Sequence, residues 1–218
     1  ERLLAEHRLE LAAIGTGAGW LKRRLHLCHA DAAVRTVARQ FVSGIIDVAG
    51  RFGAPAIIGS MQGNSDGGLT RETALEHLAS ALGELGDRAA THGQVLLYEP
   101  LNRYETNLFN RQEEAAAWLD ARGLARVRLL CDLFHMNIEE ADVAAAILAA
   151  GGRVGHVHWA DSNRRAMGLG HTAVEPVVAA LRAIGYRGYL SAEVFPLPSP
   201  LAAARQTIAS LRPHVSAA

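Results

Sequence analysis

Five side chains that can bind a metal or move a proton stand near the ends of apolar runs. They are Glu99, Asp132, His156, His158 and Glu193. Side chains alternate along a β-strand, so if these runs are strands the five side chains point into one shared space. Three carboxylates meeting there would repel one another unless a cation held them. Oxygen-rich ligation with an imidazole suits Mn²⁺, Mg²⁺ or Co²⁺ better than zinc, and it leaves positions for Lewis-acid chemistry on substrate oxygens.

Short apolar runs alternate with longer amphipathic stretches along the chain, which is the pattern of repeated βα units. The predicted strands are Leu11–Gly15, Ala56–Ser60, Val95–Glu99, Val127–Asp132, Val154–Trp159 and Tyr189–Val194. The predicted helices are Glu1–His7, Ala32–Phe52, Thr70–His92, Gln112–Ala121, Ile138–Ala150, Thr172–Ile184 and Pro200–Leu211. Asp31 and Thr70 are the predicted caps of two helices. The polar residues therefore fall at or near the C-terminal ends of the third to sixth predicted strands.

This order of elements is typical of either an open doubly wound sheet or a closed (β/α)8 TIM barrel. We predict the barrel because it brings many strand ends to one point, and because GTGAG at 15–19 is a poor match to GxGxxG. A full barrel has eight strands, and the sequence contains six. We expect a single domain, 1–218, that is N-terminally incomplete and lacks the first one or two βα units. Open strand edges would need covering, which predicts a homo-oligomer, a dimer or a tetramer.

Charge and composition exclude several classes of partner. Lysine and arginine together number 22, as do aspartate and glutamate, so no net field attracts nucleic acid or an anionic membrane. No apolar run approaches the roughly 20 residues of a membrane helix. The two cysteines, Cys28 and Cys131, are not spaced as a metal clip, and such low usage indicates a reducing compartment. We expect a cytoplasmic protein with a small-molecule ligand, and neither nucleic acid nor a membrane as partner.

Four segments carry a resemblance to a known family. They are YEPLNRYETN at 98–107, CDLFHMNIEE at 131–140, GHVHWADSNRR at 155–165 and AEVF at 192–195. With these motifs at successive intervals of about one βα unit, the sequence resembles the xylose isomerase-like TIM barrels. Within that family it looks most like the ketose 3-epimerases of the D-tagatose and D-psicose type. The resemblance runs from about residue 11 to the end and is thin before Gly53.

The resemblance implies a metal-dependent isomerase or epimerase of carbohydrate metabolism, with a divalent metal, most simply Mn²⁺. The implied metal ligands are Glu99, Asp132, His158 and Glu193. Glu99 and Glu193 would also be the catalytic acid/base pair. One glutamate removes the proton next to the sugar carbonyl through a metal-stabilised enediolate, and the other returns a proton to the opposite face. The implied substrate-binding residues are Glu105, His135 and Arg164, with His171 as a further contact and Trp159 as a surface for stacking on the sugar.

Three other functions remain open from the sequence. The same site could serve a lyase or dehydratase of a keto-sugar or keto-inositol, including C-glycoside cleavage, if the enolate expels a β-substituent. A metal-dependent endonuclease for abasic DNA shares the barrel, although the neutral charge argues against it. A truncated barrel could also bind a partner or a metal without turnover. His156 lies one pleat deeper than His158 and is predicted to be a hydrogen-bonded core residue.

Overall fold

The computed structural model describes residues 1–215, in which six strands form one sheet. The strands are β1 (Ile14–Gly15), β2 (Ala56–Ile58), β3 (Leu96–Tyr98), β4 (Val127–Asp132), β5 (Val154–His158) and β6 (Leu190–Ser191). They are ordered β1 to β6 as in the sequence, and the pairs β1–β2, β2–β3, β4–β5 and β5–β6 are parallel. A doubly wound sheet reverses its strand order at a switch point, whereas a barrel keeps it. The predicted six-stranded portion of a TIM barrel is confirmed.

Helices connect these strands throughout the described residues. They are α1 (Arg2–His7), α2 (Ala18–Arg23), α3 (Ala32–Arg51), α4 (Arg71–Thr91), α5 (Gln112–Ala121), α6 (Leu133–Glu139), α7 (Val143–Ala150), α8 (Val174–Ala183) and α9 (Pro200–Leu211). Short 3₁₀ turns lie at Ser60–Gln62 and Gly151–Arg153. Among residues 1–215, every helix is too short or too polar to cross a membrane.

The structure corrects the sequence prediction around two helices. The predicted helix Ile138–Ala150 is instead the pair α6 and α7, because each has its own aspartate cap. Asp132 caps α6 directly at the end of β4, and Asp142 caps α7 by accepting from Ala145 N at 3.0 Å. The short helix α2 was not predicted, since its sequence AGWLKR has no capping side chain. The sixth strand is two residues long rather than six, which places Glu193 beyond its end.

Residue contacts divide the chain into two compact units. The first comprises Glu1–Glu99, Tyr104–Leu108 and Ala117–Arg128. In it α3 and α4 pack on each other, α3 contacts β2 and α4 contacts β3. All residues of β2 and β3 are buried, as expected for strands covered on both faces. This unit supplies the buried strand β3, which ends immediately before Glu99.

Both predicted caps in the first unit are present. The Asp31 side chain accepts from Ala33 N at 2.8 Å, and Thr70 Oγ1 accepts from Thr73 N at 3.2 Å. Each satisfies an N–H group that the first turn of a helix leaves without an intrahelical partner. The buried face of α3 consists of Ala38, Val42, Ile46 and Ala49, at the three- and four-residue spacing of one helical side.

The second unit comprises Pro100–Arg103, Phe109–Ala116 and the chain from Leu129 onward. Its core is a cluster of buried side chains from β4 to α8. The members are Cys131, Leu133, Met136, Ala146, Ile147, Val157, Trp159, Met167, Val177, Val178, Ala180 and Leu181. Packing of α7 on α8 and of α6 on β5 fixes the C-terminal ends of β4 and β5, where the candidate ligands lie. The single domain expected from the sequence stays a prediction.

Candidate metal centre

Asp132 is the last residue of β4 and the N-cap of α6. Its Oδ1 accepts from Phe134 N at 2.8 Å and from His135 N at 3.4 Å. Its Oδ2 lies 3.1 Å from Nδ1 of His158, and the side chain is fully buried. The helix cap therefore fixes one carboxylate oxygen and directs the other at the imidazole of the neighbouring strand.

His158 ends β5 and is paired in register with Asp132 on one side and Ser191 on the other. Its Nδ1 also lies 3.4 Å from Oε2 of Glu193, whose side chain is 52% exposed. Arg164 Nη2 donates to the same oxygen at 2.8 Å. The hydrogen bond from His158, together with the charges of His158 and Arg164, lowers the pKa of Glu193 to about 2 despite partial burial. The Glu193 carboxyl is therefore ionised at neutral pH.

Glu99 follows β3 directly and is buried. Its backbone N–H donates to Ile58 O at 3.0 Å, which continues the pairing with β2. Its backbone carbonyl accepts from Gln62 Nε2 at 3.0 Å, and Tyr98 donates through its hydroxyl to Gln62 Oε1 at 2.6 Å. Hydrogen bonds within the first unit thus hold the backbone that carries the Glu99 carboxylate.

The four predicted ligands form a group that could hold a metal ion. Glu99, Asp132, His158 and Glu193 each offer one ligand atom, and these atoms lie within 4.8 Å of one another. Three carboxylate oxygens and one imidazole nitrogen are the donor set of a hard or borderline divalent cation such as Mn²⁺, Mg²⁺ or Co²⁺. The group contains three carboxylates. Arg164 contacts one of them, and its single positive charge balances less of their negative charge than a divalent cation would.

Two predicted substrate-binding residues lie close to Asp132 and Glu193 within the second unit. His135 is buried on α6, and its Nδ1 lies 2.8 Å from Asn102 Nδ2 and 3.3 Å from Asn102 N. Arg164 lies in the loop after β5 with φ of 58°, and its guanidinium carbon stands 5.0 Å from the centre of the Phe134 ring. Each therefore lies beside a predicted metal ligand. His135 is in the first turn of α6, which Asp132 caps, and Arg164 contacts Glu193.

The other two polar candidates lie in exposed turns. Glu105 is an exposed residue of the first unit, next to Thr106, whose Oγ1 donates to Gly63 O at 2.9 Å. His171 is exposed in the second unit, and its backbone N–H donates to Ser162 Oγ at 2.9 Å. A hydrogen bond thus holds the backbone of His171, whereas beside Glu105 the bonded group is the side chain of Thr106. Their contacts with a substrate stay predictions.

Trp159 is not placed where a sugar could stack on it. The side chain is 0% exposed in the core of the second unit, and its indole N–H donates to Ser210 Oγ at 3.1 Å. The reason is the alternation of strand side chains. Since His158 faces the ligand group, the next residue must point the opposite way, into the layer of helices. The expectation of a stacking surface is corrected to a core role.

His156 shares the face of His158, as the alternation predicts. Its Nε2 lies 2.7 Å from Ser191 Oγ, and the two imidazole rings meet edge to face at 5.5 Å. Burial, and then the nearby His158, lowers the pKa of His156 to about 4. The ring is therefore neutral at pH 7, which agrees with the predicted role as a hydrogen-bonded core histidine.

Asp161 is an important residue that the sequence analysis did not identify. It is 1% exposed and accepts hydrogen bonds from four backbone N–H groups. Burial opposes its ionisation, but hydrogen bonds from the backbone of Thr172, Ser162 and Gly170 lower its pKa to about 2. A sequence signal was present in the aspartate three residues after His158, followed by a glycine-containing turn. Ionised Asp161 organises the loop that carries both Arg164 and His171.

The chain is similar to known proteins over nearly its whole length. Residues 1–214 match the family described as xylose isomerase-like TIM barrel. The chain is 40% identical over 133 residues to an L-ribulose 3-epimerase of Methylomonas sp. (strain DH-1), covering 61% of this chain and 46% of that protein. It is 31% identical over 195 residues to a ketose 3-epimerase of Arthrobacter globiformis, covering 88% of this chain and 66% of that protein. The matched regions thus span about half to two thirds of these relatives.

A solved structure is similar over nearly the whole chain. The crystal structure of a D-allulose 3-epimerase from Methylomonas sp. superposes with a TM-score of 0.84 at 28% sequence identity. The superposition covers 98% of this chain and 80% of that one. The fold of this chain is therefore similar to that of a solved D-allulose 3-epimerase.

Proposed function

This chain belongs to the xylose isomerase-like TIM barrel family, and we propose that it is a divalent-metal-dependent sugar epimerase of the ketose 3-epimerase type. The observation that carries the proposal is the group formed by Glu99, Asp132, His158 and Glu193. Relatives named as L-ribulose 3-epimerase and ketose 3-epimerase support an unphosphorylated ketose as the substrate class. An activity of this kind belongs to the isomerases.

Mn²⁺ is the proposed metal, since carboxylate-rich sites with one imidazole suit it, and Mg²⁺ or Co²⁺ could replace it. When bound, the metal would supply Lewis-acid polarisation of the sugar carbonyl. Asp132 would serve as a ligand without moving, because its other oxygen is already committed to the cap of α6. His158 Nδ1 lies between Asp132 and Glu193, so this nitrogen could bind the metal beside both carboxylates once it carries no proton.

Glu99 and Glu193 are the proposed acid and base. Glu193 is ionised and half-exposed, so it is in the form that can accept a proton from a substrate carbon. Glu99 is buried directly after β3, and hydrogen bonds to Ile58 and Gln62 hold its backbone in place. Removal of a proton by one glutamate and its replacement from the other face by the second would invert the carbon next to the carbonyl.

His135 and Arg164 are the proposed anchors of the substrate hydroxyls, with Glu105 and His171 as further contacts. The hydrogen bond from Asn102 N to His135 Nδ1 makes that nitrogen an acceptor. A neutral His135 ring then carries its proton on Nε2, which can donate to a hydroxyl oxygen. Arg164 can donate to a hydroxyl oxygen beside Glu193, since one of its nitrogens already reaches that carboxylate.

The reaction is tested with a ketose panel in deuterium oxide with Mn²⁺ added. L-ribulose, D-psicose, D-tagatose and D-fructose should include a substrate that incorporates deuterium at C3 and gives the C3 epimer, both followed by NMR. An elimination product would contradict the epimerase and favour the lyase or dehydratase. Absence of exchange with the whole panel and with Mn²⁺, Mg²⁺ or Co²⁺ would contradict the proposed function and favour a binding role.

The proposed bases are tested with isosteric variants. Glu193→Gln and Glu99→Gln should each lower the rate of C3 exchange at least about 1000-fold, because an amide cannot accept the proton. Glu193→Gln should keep measurable Mn²⁺ binding, since Asp132 and His158 remain. Glu175→Gln, an exposed change in the first turn of α8, is the matched control and should exchange at the wild-type rate. Full activity of Glu193→Gln would remove Glu193 from the base role.

The oligomeric state and the cytoplasmic location stay predictions. Light scattering coupled to size exclusion would test the expected dimer or tetramer.

A further inference from the structure

We propose that Asp161 is a positioning residue of this site, which acts on the substrate through Arg164. The inference rests on the proposed function, in which Arg164 anchors the substrate. Asp161 lies between the ligand His158 and the anchor Arg164, at the start of the loop 161–172. Its buried carboxylate is the centre around which that loop folds.

The carboxylate of Asp161 uses both oxygens to close the loop. Oδ1 accepts from Ser162 N at 2.7 Å and from Thr172 N at 3.0 Å, which are at opposite ends of the loop. Oδ2 accepts from Gly168 N at 2.7 Å and from Gly170 N at 2.8 Å. Hydrogen bonds from N–H groups to a buried carboxylate are charge-assisted and stronger than neutral ones. One side chain thus joins four separate points of the loop.

The backbone of Asp161 also determines where Arg164 stands. Arg164 N donates to Asp161 O at 2.8 Å, and Asp161 N donates to Arg165 O at 2.9 Å. Arg164 has φ of 58°, a left-handed conformation that a residue with a side chain adopts at a cost and keeps only where its surroundings hold it. Its carbonyl accepts from Phe195 N at 2.7 Å, two residues after Glu193. The turn at Asp161 therefore sets the Arg164 side chain against Glu193.

Packing around the carboxylate leaves no room for a larger neighbour. A Cβ atom at Gly170 would lie 2.4 Å from Asp161 Oδ1 and 2.6 Å from Ser162 Oγ. Gly170→Ala should therefore disturb the same loop from a second direction. Asp161→Asn keeps the shape of the side chain, but its NH₂ group must face one of the two pairs of N–H donors. Each variant should loosen the loop without touching a ligand atom.

A double-mutant cycle separates positioning from a general structural role. Asp161→Asn should lower kcat/KM about 100-fold in the wild-type background, the loss expected when an anchor is displaced by about 1 Å. In the Arg164→Ala background the same change should cost less than about threefold, because the anchor is already gone. Equal losses in both backgrounds would overturn the proposal. Asp142→Asn, which replaces the exposed carboxylate at the N-cap of α7, is the matched control and should leave kcat/KM at the wild-type value.

Hydrogen exchange tests the loop independently of turnover, and its first measurement needs only the wild-type protein. In the wild-type protein the amides of Ser162, Gly168, Gly170 and Thr172 should exchange at least about 100-fold more slowly than unstructured peptide rates, although they lie outside helices and strands. Asp161→Asn and Gly170→Ala should each speed their exchange at least tenfold. Rapid exchange in the wild type would overturn the role of Asp161 even in an active enzyme. Slow exchange in a protein without epimerase activity would support the loop closure while the proposed function fails.

Discussion

Replacing Asp132 separates its two roles, because the structure assigns one to each carboxylate oxygen. Oδ1 caps α6 through Phe134 N and His135 N, and Oδ2 faces Nδ1 of His158. In Asp132→Asn the amide oxygen can keep the cap, and the NH₂ group then takes the position of the proposed ligand oxygen. In Asp132→Ala the cap and the ligand are both lost.

The expected stabilities follow from these contacts. Loss of an N-cap costs about 1 kcal/mol of unfolding free energy and up to about 2, and for a chain of this size 1 kcal/mol lowers Tm by about 2–4 °C. The metal-free Asp132→Ala protein should therefore melt about 2–8 °C below the wild type. Asp132→Asn should melt near the wild-type temperature, because it keeps the cap, and removing one of three neighbouring carboxylates offsets the weaker contact with His158 Nδ1.

The assay is thermal unfolding in EDTA, followed by calorimetric titration with Mn²⁺. Both variants should lose at least about 100-fold in Mn²⁺ affinity. Mutating a residue that only hydrogen-bonds to a metal ligand costs up to about 100-fold, and loss of a ligand should cost at least as much. If metal-free Asp132→Asn is destabilised as much as Asp132→Ala, the assignment of Oδ1 to the helix cap and Oδ2 to the metal is wrong. Unchanged Mn²⁺ affinity in Asp132→Asn would remove Asp132 from the ligand set.

Two further predictions concern Trp159 and the acid side of the stability profile. Trp159→Phe loses the hydrogen bond to Ser210 and part of a buried ring, so Tm should fall by about 2–4 °C per kcal/mol lost. The values of kcat and KM for a ketose should stay within about twofold of the wild type. A selective rise in KM would indicate that Trp159 contacts the substrate. Because the pKa of Glu193 is about 2 when folded and about 4.5 in the ordinary carboxyl, its ionised form contributes stability that is complete above about pH 5 and declines toward pH 2. The difference in unfolding free energy between metal-free wild type and Glu193→Gln should therefore shrink over that range, from at most about 1 kcal/mol for so exposed a group; a difference that grows on acidification would contradict the lowered pKa.

The sequence contained most of the information about the sheet. Alternating apolar runs and amphipathic stretches predicted all six strands in the described residues and their parallel order, because buried parallel strands read as continuous apolar segments. It also predicted that Glu99, Asp132, His158 and Glu193 approach one another, since residues at the C-terminal ends of neighbouring parallel strands share one edge. These inferences depend on periodicity, which is a local property.

What the sequence did not reveal depends on tertiary contacts. α6 and α7 are separate helices because Asp132 caps the first and Asp142 caps the second, and helical periodicity alone does not show these caps. Trp159 was misplaced because its position near the end of β5 was given more weight than the alternation after His158. The role of Asp161 requires four N–H groups from residues up to 11 positions away to converge, and composition does not predict that convergence.

Metal binding by the purified protein tests the central claim most directly. After treatment with EDTA, titration with Mn²⁺ should show one ion bound per chain, and simultaneous substitution of Asp132 by Asn and His158 by Gln should abolish this binding while the fold persists by circular dichroism. If the wild-type protein binds no Mn²⁺, or if binding survives the double substitution unchanged, the result would contradict a metal centre built from Glu99, Asp132, His158 and Glu193.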